Sequence, residues 1–205
     1  RAVDDIDIAT RLEPKDTMKA LEAAGIRAVP TGIEHGTVTG IVDHVPFEIT
    51  SLRRDVETDG RRAVVAFTQD WAEDAQRRDF RLNALYAAPD GEVFDPVGGG
   101  LEDAASGRVI FIGDGDQRLR EDYLRILRFF RFNAWYGAEM DADGLAACER
   151  QKDGLAKIAR ERIWKEFKKL LGATDPTASI EAMAKSGVLD VILPEHHGVD
   201  ALHDL

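Results

Sequence analysis

The hydrophobic period of this chain changes once, near Gly113, and that change limits what the chain can fold into. Before it, short apolar runs alternate with polar residues between turn signals. After it, apolar residues recur every three or four positions through Trp135, then over Gly144 to Cys148 and Arg160 to Leu171. A period near two marks strands and one near 3.6 marks helices. The expected fold class is α+β: a small mixed sheet with helices, then an all-helical part beyond about Gly113.

In the first part, Ile6 to Ala9 reads as a strand and Pro14 to Ala24 as a helix, with Gly25 just past its end. Gly36 to Val42 and Val45 to Leu52 read as a hairpin turning at Asp43-His44. Asp55 to Arg62 reads as a polar loop, Trp71 to Arg78 as a helix, and Leu82 to Ala88 with Glu92 to Phe94 as a second hairpin about Pro89-Asp90-Gly91. Val109 to Ile112 is a last short apolar run, and Gly172 closes the helix ending at Leu171.

Net charge is -11 over 205 residues, which argues against a broad, non-specific grip on nucleic acid. The balance inverts locally, because Arg118 to Arg131 holds five arginines against two acids. No apolar run approaches the ~20 residues of a membrane span. The single cysteine, Cys148, excludes an internal disulfide and points to a reducing, cytoplasmic setting. The five histidines show no ligand spacing, so a zinc site is not expected.

The stretch Glu121 to Arg131 places Asp122, Arg125, Arg128 and Arg131 at three-residue steps on an expected helix, with Leu119, Ile126, Leu127 and Phe130 on the opposite side. A row of guanidinium groups headed by one carboxylate suits a ligand with several negative charges and one polar ring, such as a nucleoside triphosphate. Asp122 is suited to accept from the exocyclic amine of cytosine or adenine while Arg125 donates to ring acceptors. Guanine and uracil present an acceptor at the amine position and are mismatched. On its residues alone the same helix also reads as a solvated basic face laced with Glu121.

Asp5 and Asp7 lie two apart on the first strand and share a face, while Ile6 and Ile8 point toward a core. Adjacent carboxylates repel unless a cation sits between them, and Mg²⁺ favours carboxylate and phosphate oxygens. Glu48 alternates with Phe47 and Ile49 and is the candidate third carboxylate. A solvated strand edge is the plainer reading of Asp-x-Asp. In Arg77 to Ala84, Arg78 is suited to a phosphate and Asp79 and Asn83 to a sugar hydroxyl; a polar helix end anchored by Phe80 fits equally. Thr31-Gly32, His35-Gly36-Thr37 and Asp95-Pro96 with Gly98-Gly99-Gly100 read as turns, and Trp135 and Tyr136 as packing.

Taken in order, Asp4 to Thr10, Phe47-Glu48-Ile49-Thr50, Arg77 to Ala84, Asp95-Pro96, Glu121-Asp122-Tyr123-Leu124-Arg125, and Glu161-Arg162 ahead of Lys168 to Gly172 resemble the class II tRNA nucleotidyltransferase and bacterial poly(A) polymerase family. The resemblance implies a polymerase-β-like nucleotidyltransferase head at 1–112, with its N-terminal part missing, a helical neck at 113–174, and the start of a helical body at 175–205. It implies catalytic acids at Asp5, Asp7 and Glu48, with Mg²⁺ held by Asp5 and Asp7. It implies nucleotide contacts at Arg78, Asp79, Asn83, Asp122, Arg125, Arg128 and Arg131, where Asp122 and Arg125 act as an amino-acid template for CTP and ATP. The implied reaction is attack of a tRNA 3′ hydroxyl on an α-phosphate, building or repairing the CCA end and releasing pyrophosphate. Variants of the family add only C, only A, or a poly(A) tail. A non-catalytic nucleotide- or RNA-binding module and a small-molecule nucleotidyltransferase are the readings from other classes. The family's Gly-Gly-x-Val-Arg-Asp segment and its tRNA-gripping tail are not in this sequence, so activity is expected of a longer parent.

Overall fold

Four strands form the sheet that carries the first acidic motif. They are β1 (Asp7–Thr10), β2 (Arg27–Gly32), β3 (Thr37–Val42) and β4 (Val45–Ser51), in the order β1-β4-β3-β2. This computed structural model describes residues 6–56 and 64–196. The chain divides into two compact units, Arg1–Arg77 and Arg78–Leu205.

In the first unit, β1 pairs parallel with β4, while β3 pairs antiparallel with both β4 and β2. The β3–β4 turn has Asp43 at φ 49 and His44 at φ 66, the two positive values a two-residue hairpin needs to match strand twist. Helix α1 (Pro14–Ala23) lies between β1 and β2, and Gly25 follows it at φ 73. Gly40 of β3 sits beneath α1: a Cβ there would lie 3.5 Å from both Leu21 and Ile49. Val38 and Ile49 are buried on that same face. Strands β5 (Arg53–Val56) and β6 (Val64–Phe67) form a separate ribbon, followed by α2 (Trp71–Gln76). Asp55 and Val56 therefore belong to a strand rather than a loop. Residues 57–63, the rest of that expected loop, lie outside the described residues.

Ile6 and Ile8 are 54% and 40% exposed, although Ile8 shares the face of buried Ile49, the inward side expected of it. The reason is topological. Among the described residues β1 is an edge strand with a neighbouring strand on one flank, so Ile8 is less covered than Ile49.

The second unit holds the short ribbon β7 (Tyr86–Ala87) and β8 (Val93–Phe94). Its helices are α3 (Gly100–Ser106), α4 (Gly115–Glu121), α5 (Leu124–Tyr136), α6 (Ala142–Gln151), α7 (Arg160–Leu171), α8 (Thr177–Lys185) and α9 (Val188–Ile192). Arg81–Asn83 is a 3₁₀ turn where a strand start was expected, and Val109 to Ile112 makes an isolated bridge, Phe111 to Phe80. α3 was not expected; it begins where the Asp95 carboxylate accepts from the amides of Gly98 and Gly100 at 2.9 and 2.6 Å.

The division at Arg77 precedes the expected boundary near Gly113 because of aromatic packing. Phe80 lies 4.9 Å from Phe111 and 5.1 Å from Phe132 between ring centroids, and Phe111 stacks on Phe129 at 5.5 Å. Residues 80–111 thus share one core with the helices, built on Phe129, Phe130, Leu119, Ile126 and Leu127. Gly172 follows α7 as expected, in a right-handed conformation (φ -79) rather than a left-handed cap.

Candidate active site

In the first unit, Asp7 and Glu48 are register partners across the parallel β1–β4 pair. Directly paired residues share a face, and Thr39 of β3 continues their row. Ile8 pairs with Ile49 and so takes the opposite face, the one beneath α1. Both carboxylates are exposed, and neither has a cationic partner among the described residues. Two adjacent, uncompensated acids of this kind fit a divalent cation. Asp5, the other member of the expected pair, lies outside the described residues, and no group of three metal-ligating side chains is found within them. An open hollow of about 540 Å³ in this unit is lined by Arg11, Thr68, Gln69, Asp70, Trp71 and Glu73, none of them an expected site residue.

In the second unit, residues 78–84 of the Arg77 to Ala84 motif fold back on themselves. The Asp79 carboxylate is 4% exposed. It accepts from Asn83 Nδ2 at 2.7 Å through one oxygen and from Arg128 Nε through the other. Burial by itself raises the Asp79 pKa, but the bond and charge of Arg128, helped by Asn83, outweigh it and hold the carboxyl below its ordinary value. The same pairing raises Arg128, against the opposing effect of its own burial. Arg78 donates to the Asn83 carbonyl at 3.2 Å and sits 5.3 Å over the Tyr86 ring. With both oxygens engaged, Asp79 is placed to orient Arg128.

The expected continuous helix through Asp122 is broken. Asp122 ends α4 in an extended conformation (φ -152, ψ 106), and α5 starts two residues later. Its Oδ1 accepts from the Leu124 amide at 3.0 Å and so caps the new helix. Its Oδ2 accepts from Arg162 on α7 at 2.9 Å. The break is favoured because a short polar side chain satisfies amides that a helix start leaves without partners. Arg125, Arg128 and Arg131 remain at three-residue steps on α5. Arg125 donates to the Arg118 carbonyl at 2.9 Å and pairs with Glu121. Arg131 donates to Glu166 of α7 at 2.8 Å and lies 4.6 Å over the Phe132 ring.

Sequence reasoning left Arg162 without a role and did not single out Glu166. The signal was available: both sit on α7 at a four-residue step, next to the hydrophobic stripe of Ile163, Phe167 and Leu170. Trp135 and Tyr136, read as packing, are 39% and 53% exposed, with the Trp135 indole donating to the Lys169 carbonyl at 2.8 Å.

The described geometry matches known proteins along most of its length. A family model described as the poly A polymerase head domain matches residues 1–110, and one described as the probable RNA and SrmB-binding site of polymerase A matches residues 137–199. The human mitochondrial CCA tRNA nucleotidyltransferase 1 is 46% identical over 174 residues, covering 82% of this chain and 39% of that protein. The CCA-adding enzyme of Leuconostoc mesenteroides is 38% identical over 199 residues, covering 96% of this chain and 48% of that one. The crystal structure of the Bacillus stearothermophilus CCA-adding enzyme in complex with CTP superposes with a TM-score of 0.84 at 31% identity, covering 97% of this chain and 47% of that one. The chain thus spans less than half the length of these relatives.

Proposed function

Because this chain belongs to the poly A polymerase head-domain family, we propose that it supplies the head and neck of a template-independent nucleotidyltransferase that adds CMP and AMP, from CTP and ATP, to a tRNA 3′ end. In this reading residues 1–112 form the functional head, 113–174 the neck and 175–205 the start of the body, a division by role that differs from the division by packing. The names of the human and Leuconostoc relatives support CCA addition over A-only or poly(A) addition.

The observation that carries the reading is the row on α5. Arg125, Arg128 and Arg131 each have a carboxylate partner within their own compact unit, Glu121, Asp79 and Glu166 in turn. A guanidinium fixed in this way loses little side-chain entropy on meeting a phosphate or a base edge. Asp122 reads the exocyclic amine, Arg125 the neighbouring ring acceptors, and Arg78, Arg128 and Arg131 neutralise phosphates. Asn83 and Asp79 hold this set together near the ribose. A buried mismatch at the amine position excludes GTP and UTP.

Asp5, Asp7 and Glu48 would hold Mg²⁺, which when bound lowers the pKa of an attacking hydroxyl and neutralises phosphate charge. The 3′ oxygen forms a bond to the α-phosphorus, the bond to the bridging oxygen breaks, and pyrophosphate leaves.

The test uses the intact protein, Mg²⁺, tRNA ending at its discriminator base and each labelled nucleotide, followed by 3′-end sequencing. Ordered addition of C, C and A is expected. Asp7→Ala should abolish incorporation while tRNA binding persists; tRNA binding by the parent with no incorporation of any nucleotide would favour a non-catalytic binding module.

A further inference from the structure

Immediately after the break at Asp122, Tyr123 packs against a residue far along the chain. Gly154 is buried in the 3₁₀ segment Lys152–Lys157. A Cβ built on it would lie 2.0 Å from Cδ1, 2.1 Å from Cε1 and 2.4 Å from Cγ of Tyr123. The tyrosine ring therefore occupies the space any other side chain at 154 would need. Lys157 Nζ lies 5.3 Å from the centroid of the same ring, within the range of a cation–π contact.

The seat is anchored from several sides. Leu155 is fully buried, and Lys152 Nζ donates to the Ser186 carbonyl at 3.0 Å. Just ahead of it, Gln151 donates to Asp116 of α4 at 2.7 Å. Tyr123 is the residue between Asp122 and α5, and its carbonyl accepts the Ile126 amide at 3.1 Å, in the first turn of that helix. A ring locked against Gly154 thus fixes the backbone immediately after Asp122.

We propose that Tyr123 and Gly154 are a positioning pair that sets where the Asp122 carboxylate stands, and through it which bases are accepted. The inference rests on the base-reading role proposed for Asp122. With the seat held by its neighbours, a methyl group at 154 must be absorbed by Tyr123, which carries Asp122 with it. Displacement of a reading group by about 1 Å costs up to ~100-fold.

The experiment uses Gly154→Ala, Tyr123→Leu and Tyr123→Phe in the intact protein, each checked for a cooperative melt. The first readout is hydrogen exchange at the Leu124 amide, which reports the Asp122 cap without any nucleotide. The second is kcat/KM for all four nucleotides. Gly154→Ala and Tyr123→Leu should speed Leu124 exchange and narrow the preference for CTP and ATP over UTP and GTP at least about tenfold. Tyr123→Phe, which keeps the ring carbons that make the contact, should restore both. Should Gly154→Ala fail to fold, Tyr123→Leu, which introduces no clash, carries the same test. Leu124 exchange at the parent rate in a folded variant overturns the proposal. Faster exchange with unaltered selectivity also overturns it, and Asp122→Ala then separates the causes: retained selectivity there means that the base-reading role itself has failed.

Discussion

Arg128 on α5 donates through Nε to the buried carboxylate of Asp79, forty-nine residues earlier in the chain. Removing one member of such a pair leaves the other desolvated without compensation, at a cost of about 3 kcal/mol where, as here, one partner is partly exposed. Asp79→Ala should lower unfolding free energy by about that amount in urea. The double variant with Arg128→Ala should lose less than the sum of the single changes, the signature of direct coupling.

Acid should loosen the second unit in a defined window. Asp79 lies below its ordinary carboxyl value of 3.8, and Asp116 is held at about 2 by hydrogen bonds from Arg150 and Gln151. A group whose folded pKa is depressed stabilises the fold above its unfolded pKa and loses that contribution as pH falls through the folded one. The melting temperature should therefore be steady down to about pH 5 and fall between roughly pH 4 and pH 2. Asp116→Asn should flatten the fall while lowering the starting value.

Cys148 is fully buried, and burial, reinforced by the charge of Asp116, pushes its thiol well above the usual range. Nucleophilic reactivity belongs to the thiolate. A thiol-labelling reagent at pH 8 should leave the native protein unmodified and react in the denatured state, at a native rate that tracks opening. Rapid native labelling would show that α6 is not packed as described.

α7 bears Arg160, Lys165, Lys168 and Lys169 with no acidic partner among the described residues, alongside an indole, Trp164, that is 59% exposed. Such a face suits a phosphate backbone with aromatic stacking. Under the proposed tRNA-extending function, Lys165→Ala with Lys168→Ala should weaken tRNA binding and reduce the slope of log K against log salt by about 2. The KM for CTP should not move. An unchanged salt slope would place the RNA elsewhere.

Periodic segments were legible in advance. α7 runs from Arg160 to Leu171 as its pattern indicates, and α1 and the β3–β4 hairpin agree to within a residue or two. The core positions Leu119, Ile126, Leu127 and Phe130 were equally readable, because burial of a helical stripe follows from spacing alone. The candidate residues of the neck were legible by type and order but not by partner. That Asp79 holds Arg128, that Arg162 meets Asp122 and that Glu166 meets Arg131 are pairings across thirty-five or more positions, which no local pattern encodes.

Local chemistry was enough to set element type and to mark which residues carry charge: a 3.6-residue or two-residue period, a capping side chain or a turn dipeptide acts over a few positions. Long-range packing decided the rest. It gave Asp122 its partner Arg162, left Ile6 and Ile8 partly uncovered on an edge strand, and gathered residues 80–111 into the helical core. These outcomes depend on which distant group satisfies a buried charge or fills a buried volume, and such a partner exists once the chain has folded.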